Sequence, residues 1–222
     1  MPLDVHSIAQ VDFSLYLISD RHQTAGRPLT NVIEEALRGG AKALQLREKD
    51  LPDAELLDLA RSLRLLTRKY GACLLINRRL DICLEVGADG IHLGADGTSV
   101  AEARCSQGKG LLIGYSAHSL EEALAAEAAG ASFVTFGPVY HTPSKAAYGE
   151  PLGLASLEQA CGRLGIPVFA LGGVKRGAIG ATMTSGAHGI ALISAVMTAP
   201  EPKTEVQSLL QAIEEHAIHP SS

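Results

Sequence analysis

The sequence lacks features that would each indicate a particular class of protein. Its 19 Lys and Arg residues form no basic run and the formal net charge is −5, so the positive surface typical of a nucleic-acid-binding protein is missing. No apolar run approaches the about 18 residues of a membrane helix. The first ten residues, MPLDVHSIAQ, have neither the basic nor the apolar region of a secretion signal. We therefore predict a cytoplasmic protein that binds neither nucleic acid nor membrane.

Cysteine is also scarce. The sequence has four, Cys73, Cys83, Cys105 and Cys161, which lie far apart with no C-x-x-C pair. Zinc sites and redox disulfides usually have closer spacing, so neither is indicated. We expect buried free thiols.

The sequence does contain eight short apolar runs that alternate with helical patterns closed by glycine. Runs that are apolar on both faces are typical of a parallel sheet covered by helices. Eight such units in one chain favour an α/β protein folded as a (β/α)8 TIM barrel over a doubly wound sheet. The predicted strands are residues 13–19, 43–48, 73–77, 90–94, 111–116, 132–138, 167–173 and 189–194.

A repeated sequence motif supports one closed domain. GGAKALQLR, VGADGIHLG, AGASFVTFG and SGAHGIALIS each combine a helix end, a glycine, a small residue and a buried strand. The glycine supplies a left-handed helix cap, and the small residues allow the chain to turn directly into the next strand. We predict a single domain over residues 1–222, with a barrel core at about 13–215.

Polar side chains follow several of the predicted strands. The carboxyl ends of parallel barrel strands converge on one rim, where active sites of this fold lie. Arg47 lies on a buried strand, where an unpaired cation is unfavourable, so we expect an anion or a carboxylate to meet it. The alternative is a solvated surface pair with Lys49. The candidates are Gln45, Arg47, Lys49, Asn77, Ser116, His118, Thr142, Ser144 and Lys145.

Strands 7 and 8 end in Gly172-Gly173 and Ile193-Ser194. Glycines and a small hydroxyl residue at these ends would expose backbone N–H groups, which favour a phosphate. The alternative for Gly172-Gly173 is a tight turn, and the position on strand 7 favours phosphate.

Two histidines lie close to the predicted rim. His92 is flanked by apolar residues, which favours a satisfied core or rim histidine over a catalyst. His118 follows strand 5, where an imidazole could exchange protons with a ligand. The alternative is a residue at a helix start, since Ser119 and Glu122 form a capping box.

From about residue 13 to 200 the chain resembles thiamine phosphate synthase and its relative, the thiazole tautomerase of thiamine biosynthesis. The resemblance rests on LQLREKD, GADGIHLG, GYSAHSLEEA, FGPVYHTPSKAAYGEPLGL, PVFALGGV and GIALIS, in this order. In the synthase, the resemblance implies, a pyrimidine pyrophosphate loses pyrophosphate to form a carbocation that a thiazole phosphate traps. The implied pyrimidine and pyrophosphate site is Gln45, Arg47, Lys49, Asn77, Ser116 and Lys145. The implied thiazole phosphate site is Thr142, Ser144, Gly173 and Ser194.

The sequence departs from the synthase pattern at two positions. The pattern has N-D after strand 3 and G-Q-x-D after strand 4, and its two aspartates bind Mg²⁺. This chain has Asn77-Arg78 and a GADG segment in which Asp96 is one residue out of place. Magnesium prefers carboxylate and phosphate oxygens, so we expect no metal here and predict that Arg78 contacts an anionic ligand group.

These departures favour the tautomerase, an isomerase that needs no cofactor. The resemblance implies that His118 is its acid and base, while Arg47 or Arg78 could bind the carboxylate of the thiazole phosphate. The first alternative is the synthase, a transferase that uses Mg²⁺, and the synthase-like loop with Thr142, Ser144 and Lys145 favours it. The second is a non-catalytic regulatory protein that binds thiamine phosphates. Barrels of this sort often form homodimers, so a homodimer is possible here. The sequence alone does not determine the oligomeric state.

Overall fold

The computed structural model describes residues 10–107, 110–142 and 150–216. Eight parallel strands form a closed barrel in chain order, with β1 also paired to β8. The strands are β1 Leu15–Ile18, β2 Ala43–Leu46, β3 Cys73–Asn77, β4 Gly90–Leu93, β5 Leu112–Ala117, β6 Phe133–Phe136, β7 Val168–Leu171 and β8 Gly189–Leu192. The (β/α)8 prediction is confirmed, and all eight predicted strands are present.

Helices follow the strands. The helices are α1 Leu29–Arg38, α2 Asp53–Tyr70, α3 Leu80–Glu85, α4 Val100–Gln107, α5 Leu120–Ala128, α6 Gly153–Arg163, α7 Ile179–Thr184, α8 Ser194–Met197 and α9 Pro202–His216. The local sequence determines where several of these helices begin or end. Gly71, at a φ of 61°, ends α2, and the Ser119 hydroxyl accepts a hydrogen bond from the Glu122 amide at the start of α5.

Apolar side chains fill both faces of the sheet, as the sequence predicts. Outward-facing strand residues pack under the helices, whereas Phe13, Tyr16, Phe133 and Phe169 pack together inside the barrel. The centroids of these four rings are 5.2 to 6.1 Å apart, and each ring is at most 3% exposed. The lower barrel is therefore a packed core.

The cysteine prediction is only partly right. All four thiols are free, but Cys83 is buried, Cys73 and Cys161 are partly exposed, and Cys105 is exposed on α4. Burial raises the pKa of Cys83 to about 12 and the pKa of Cys73 to about 11, so both thiols stay protonated at neutral pH. Within the described ranges, no helix is long and apolar enough to cross a membrane.

Candidate active site

One cavity gathers the predicted phosphate-binding residues. It has a volume of about 530 Å³ and lies at the carboxyl ends of β7 and β8. We call it the β7/β8 cavity. Its lining includes Gly172, Gly173, Ile193, Ser194 and Thr142, which the sequence analysis assigned to phosphate or thiazole phosphate. Ser144 and Lys145, the other predicted residues of this loop, lie outside the described residues.

The two glycines of this cavity are required by local geometry. Gly172 and Gly173 have φ angles of 90° and 69°, in the left-handed region that disfavours side chains. A Cβ on Gly173 would lie 2.6 Å from the His141 carbonyl oxygen and 2.8 Å from the Tyr140 Cβ. The chain after β7 can therefore approach the loop after β6 only because these residues lack side chains.

A second cavity, of about 340 Å³, lies at the carboxyl ends of β2 and β3. We call it the β2/β3 cavity. Lys49, Asn77 and Arg78, all predicted from the sequence, line it together with Arg79. Its two acidic lining residues bind other groups, because Glu48 accepts hydrogen bonds from Ser19 and Arg21, and Asp53 from Arg79.

Arg47 directly follows β2 at its carboxyl end. Its backbone N–H donates to the Ser19 hydroxyl at 2.9 Å, while the neighbouring Glu48 carboxylate points away to Arg21. For the half-buried Arg47 guanidinium, no hydrogen-bond or ion-pair partner occurs among the residues that the structure describes. The expected carboxylate partner is therefore not found there, which leaves an anionic ligand as the predicted one.

A buried chain of hydrogen bonds connects the core to the rim. Gln45 Nε2 donates to the Tyr16 hydroxyl at 3.1 Å, and that hydroxyl contacts His92 Nδ1 at 3.2 Å. On the other side of the ring, His92 Nε2 is 2.9 Å from Ser116 Oγ, and Thr135 donates to Ser116 at 3.4 Å. Sequence analysis predicted Gln45 and Ser116 as ligand-binding residues but did not connect them.

The protons in this chain can be assigned. Burial raises the pKa of Tyr16, so its hydroxyl stays protonated and donates to His92 Nδ1. Burial, with a smaller effect of Arg47, lowers the pKa of His92 to about 3, so the ring is neutral and its remaining N–H donates to Ser116. Ser116 Oγ accepts the hydrogen bonds from both His92 and Thr135. Its own hydroxyl proton therefore has no acceptor within this chain of bonds and can be donated to a group outside the chain.

His92 fits because its neighbour on β5 is Gly114. A Cβ on Gly114 would collide with His92 Nδ1 and would lie 2.5 Å from Phe133 Cζ. His92 is thus a satisfied core histidine, as the sequence analysis favoured. The participation of Tyr16 was missed, because a tyrosine in an apolar strand gives no sign that its hydroxyl reaches a histidine 76 residues away.

His118 is held at the start of α5. Its backbone N–H donates to Glu122 Oε2 at 2.7 Å, and its ring Nδ1 is 2.5 Å from the Gly137 carbonyl oxygen, to which it donates. The residue is exposed and forms part of the helix start that was the alternative in the sequence analysis. Contact between His118 and a ligand stays a prediction.

The acidic residues of the rim do not fit the two-aspartate magnesium site that the resemblance implies. Arg78 occupies the first of these positions, and both of its Nη atoms lie 3.3 Å from Asp96 Oδ2. Within the described ranges, no three His, Cys, Asp or Glu residues come together to hold a metal ion. The one carboxylate close to the second position is therefore paired with a guanidinium.

These features define a class of protein. The chain is a (β/α)8-barrel protein with cavities at the carboxyl ends of its strands, the rim where active sites of this fold lie.

Comparison with known proteins gives the family. The family model described as "Thiamine monophosphate synthase" matches residues 15–196. The chain is 56% identical to a "Putative thiamine-phosphate synthase" of Geobacter sulfurreducens, over 91% of this chain and 95% of that protein. It is 39% identical to a "Thiamine-phosphate synthase" of Clostridium novyi, over 84% and 92%. The solved "Thiamine phosphate pyrophosphorylase from Pyrococcus furiosus" is 37% identical, with a TM-score of 0.83 over 91% and 96%. The chain belongs to the thiamine monophosphate synthase family.

The tautomerase hypothesis is therefore wrong. The matching family and the relatives, up to 56% identical, are named for the synthase, which was the alternative interpretation. The predicted isomerase class is wrong for the same reason. The proton-shuttle role of His118 was part of the tautomerase hypothesis and is not retained. The error came from treating the missing carboxylates as decisive, although arginine and lysine side chains can also neutralise a pyrophosphate. The non-catalytic alternative has no support among these relatives.

Proposed function

We propose that this chain is a thiamine-phosphate synthase, a transferase that joins a pyrimidine pyrophosphate to a thiazole phosphate. Its membership of the family carries the proposal. The two cavities at the rim support it, because the reaction needs one site for a phosphate and one for a pyrophosphate.

We assign the thiazole phosphate to the β7/β8 cavity. The left-handed Gly172 and Gly173 bring backbone close to the cavity, and Ser194 begins α8 beside it. Backbone N–H groups at such a place favour a dianion. Thr142 lines the same cavity, and the role predicted for Ser144 remains part of the proposal.

We assign the pyrophosphate to the β2/β3 cavity and the pyrimidine to the polar groups between the cavities. The Arg47 guanidinium has no partner among the described residues, and its charge would be matched by the leaving anion. The neutral His92 holds Ser116 so that its hydroxyl can donate to a ligand. Gln45 anchors the same chain from below, and Lys49, Asn77 and Lys145 keep their predicted roles in this proposal.

In the proposed reaction the C–O bond between the pyrimidine methylene and the pyrophosphate breaks, and its electron pair leaves with the pyrophosphate. The lone pair of the thiazole nitrogen then forms the new C–N bond. The family resemblance implies Mg²⁺, but the two-aspartate set does not fit here, so we assign no step to the metal. The cytoplasmic location and a homodimer stay predictions.

Turnover tests this proposal. Purified protein should form thiamine phosphate from the pyrimidine pyrophosphate and the thiazole phosphate, as measured by chromatography of the product. Gly173→Ala should raise KM for the thiazole phosphate at least about tenfold, because the added methyl is strained at positive φ and displaces the loop after β6. KM for the pyrimidine pyrophosphate should rise less, because only Lys145 of its proposed site belongs to that loop.

Gly177→Ala is the matched control. Gly177 lies four residues later without a positive φ, and a Cβ there would meet nothing within 4 Å, so this variant should behave like the wild type. Absence of thiamine phosphate with the wild-type protein under every condition, with or without Mg²⁺, would contradict the proposed function.

A further inference from the structure

Arg78 has an unusual backbone conformation for its residue type. It follows β3 directly with a φ of 62°, and within the described ranges Ala25 is the other non-glycine residue with a positive φ. Its N–H donates to the His92 carbonyl at 2.9 Å, and the neighbouring Arg79 N–H donates to Asn77, so the pairing of β3 with β4 imposes this conformation. Such strain persists where surrounding structure fixes it, and it is most frequent at functional sites.

The strained backbone places the guanidinium over the end of β4. A Cβ on Gly94 would lie 3.3 Å from Arg78 Nη2, so the absence of a side chain at Gly94 leaves room for this position. The guanidinium also lines the β2/β3 cavity with Lys49 and Asn77. The two departures from the synthase pattern follow β3 and β4. Arg78 therefore lies at the ends of these two strands and also lines the proposed pyrophosphate site.

The contact between Arg78 and Asp96 is loose. Both Nη atoms share one carboxylate oxygen at 3.3 Å, and the Asp96 side chain is 83% exposed. The adjacent Arg79 differs, because it binds Asp81 at 2.7 and 2.9 Å and also binds Asp53. An exposed, poorly aligned ion pair exchanges easily for a multiply charged anion, which binds a guanidinium more strongly than one carboxylate does.

We propose that Arg78 binds the pyrophosphate group directly, in the position where the synthase pattern has a metal-binding aspartate, and that Asp96 is its counter-ion in the free protein. The inference rests on the proposed function and concerns how this chain neutralises its leaving group. A fixed cation then supplies positive charge that the missing carboxylates would otherwise recruit as a metal ion.

Binding of inorganic pyrophosphate in the presence of EDTA tests this inference by calorimetry. The wild type should bind it without a divalent metal. Arg78→Gly should weaken binding at least about tenfold while raising the thermal unfolding midpoint, because glycine relieves the left-handed strain. A gain in stability together with a loss of affinity separates a ligand-binding role from a structural one.

Two further variants serve as controls. Asp96→Asn should bind pyrophosphate as tightly as the wild type or more tightly, because it removes only the counter-ion. Arg61→Gln removes one positive charge from an exposed arginine of α2 that pairs with Asp58 and Glu85, and it should leave binding unchanged.

Three outcomes would overturn the inference. They are wild-type binding that requires Mg²⁺, an Arg78→Gly variant that binds as tightly as the wild type, or loss of binding in Asp96→Asn. These outcomes are independent of turnover, so a protein that forms thiamine phosphate but fails them refutes only the role of Arg78. A protein that passes them but forms no thiamine phosphate refutes only the proposed function.

Discussion

Arginines close to the rim differ in what holds them. Arg21 donates to both oxygens of Asp50 at 2.6 and 2.7 Å, and these contacts keep the pKa of that carboxyl far below its usual value. Arg79 is bound by two aspartates, whereas the Arg47 guanidinium has no partner in the described ranges and Arg78 has a loosely bound one. Residue identity in the sequence could not separate these four, because the difference lies in which carboxylates reach them.

The interior histidine leads to a prediction about pH. Because the folded-state pKa of His92 is about 3, against 6.5 ordinarily, the unfolded chain binds a proton between these values that the folded chain does not. The contribution of His92 to stability should therefore be present above about pH 6.5 and should be lost as the pH drops toward 3, by at most about 1.4 kcal/mol per pH unit for this one group. Urea unfolding from about pH 7 to about pH 4 measures this slope.

His92→Gln is the comparison for this prediction. The variant should show a shallower fall in unfolding free energy, because glutamine does not titrate. His188, whose pKa is also lowered by burial, is unchanged in both proteins, so the difference between the two slopes belongs to His92. Equal slopes would show that His92 binds its proton equally well in the folded and unfolded chains.

Individual site residues were predictable where the fold itself restricts the choice. Gly172-Gly173 and Ser194 follow strands 7 and 8, and their positions in the barrel indicate one shared cavity. Tyr16 was not predictable as part of the polar network, because its ring packs with the core phenylalanines and only three-dimensional structure places its hydroxyl beside His92.

The elements of the fold were predictable because their burial is uniform. Six strands are buried along nearly their whole length, so each leaves a short apolar run in the sequence, and glycines mark many helix ends. The short helix α8 was not predicted. Four residues, Ser194–Met197, are too few to show a helical period.

A capping interaction at the start of α5 gives a prediction for this element. Ser119→Ala removes the acceptor of the Glu122 N–H bond at 3.1 Å and should lower the free energy of unfolding by about 1 kcal/mol. The helix start also carries His118, whose N–H binds the Glu122 carboxylate. Urea denaturation is the measurement.

Ser62→Ala is the matched control for the cap. Ser62 is an exposed residue inside α2, where its hydroxyl bonds only to the carbonyl of Asp58 four residues earlier. Alanine is the better helix former at such a position, so this variant should be as stable as the wild type or slightly more stable. Equal losses in both variants would argue against a specific cap.

In a barrel of this fold we expect the amino ends of the strands to serve stability and the rim at their carboxyl ends to serve function. At the amino end of the strands, Arg64 of α2 donates to both oxygens of Asp89, at 2.6 and 3.1 Å, and Asp89 also accepts from the Leu74 N–H. This contact joins a helix to two strands far from the rim. The ion pair between Arg64 and Asp89 should therefore contribute to folding stability more than to ligand binding.

Asp89→Ala tests this separation. It leaves the mostly buried Arg64 guanidinium without its carboxylate and should lower the free energy of unfolding by about 2 to 3 kcal/mol, with KM for both substrates unchanged. Asp58→Ala, which breaks an exposed pair with Arg61, should change stability by less than about 0.5 kcal/mol. A rise in KM for Asp89→Ala would show that the two ends are coupled.

At this scale the sequence predicts the architecture but not the chemistry. Eight alternating strand and helix units favour a barrel over a doubly wound sheet, in which six strands are usual. The activity was mispredicted because Asn77-Arg78 was interpreted as the loss of a function. In the structure, Arg78 instead lines the β2/β3 cavity, where we propose that its positive charge binds the pyrophosphate.

The packed rings of Phe13, Tyr16, Phe133 and Phe169 have a kinetic consequence. They fill the barrel below the polar network, so within the described residues a ligand can enter and depart only at the rim. For a reaction with two substrates and two products, both products must diffuse out through the opening by which the next substrates arrive. In the proposed reaction, retained pyrophosphate would then block the following turnover, so we expect inhibition by this product.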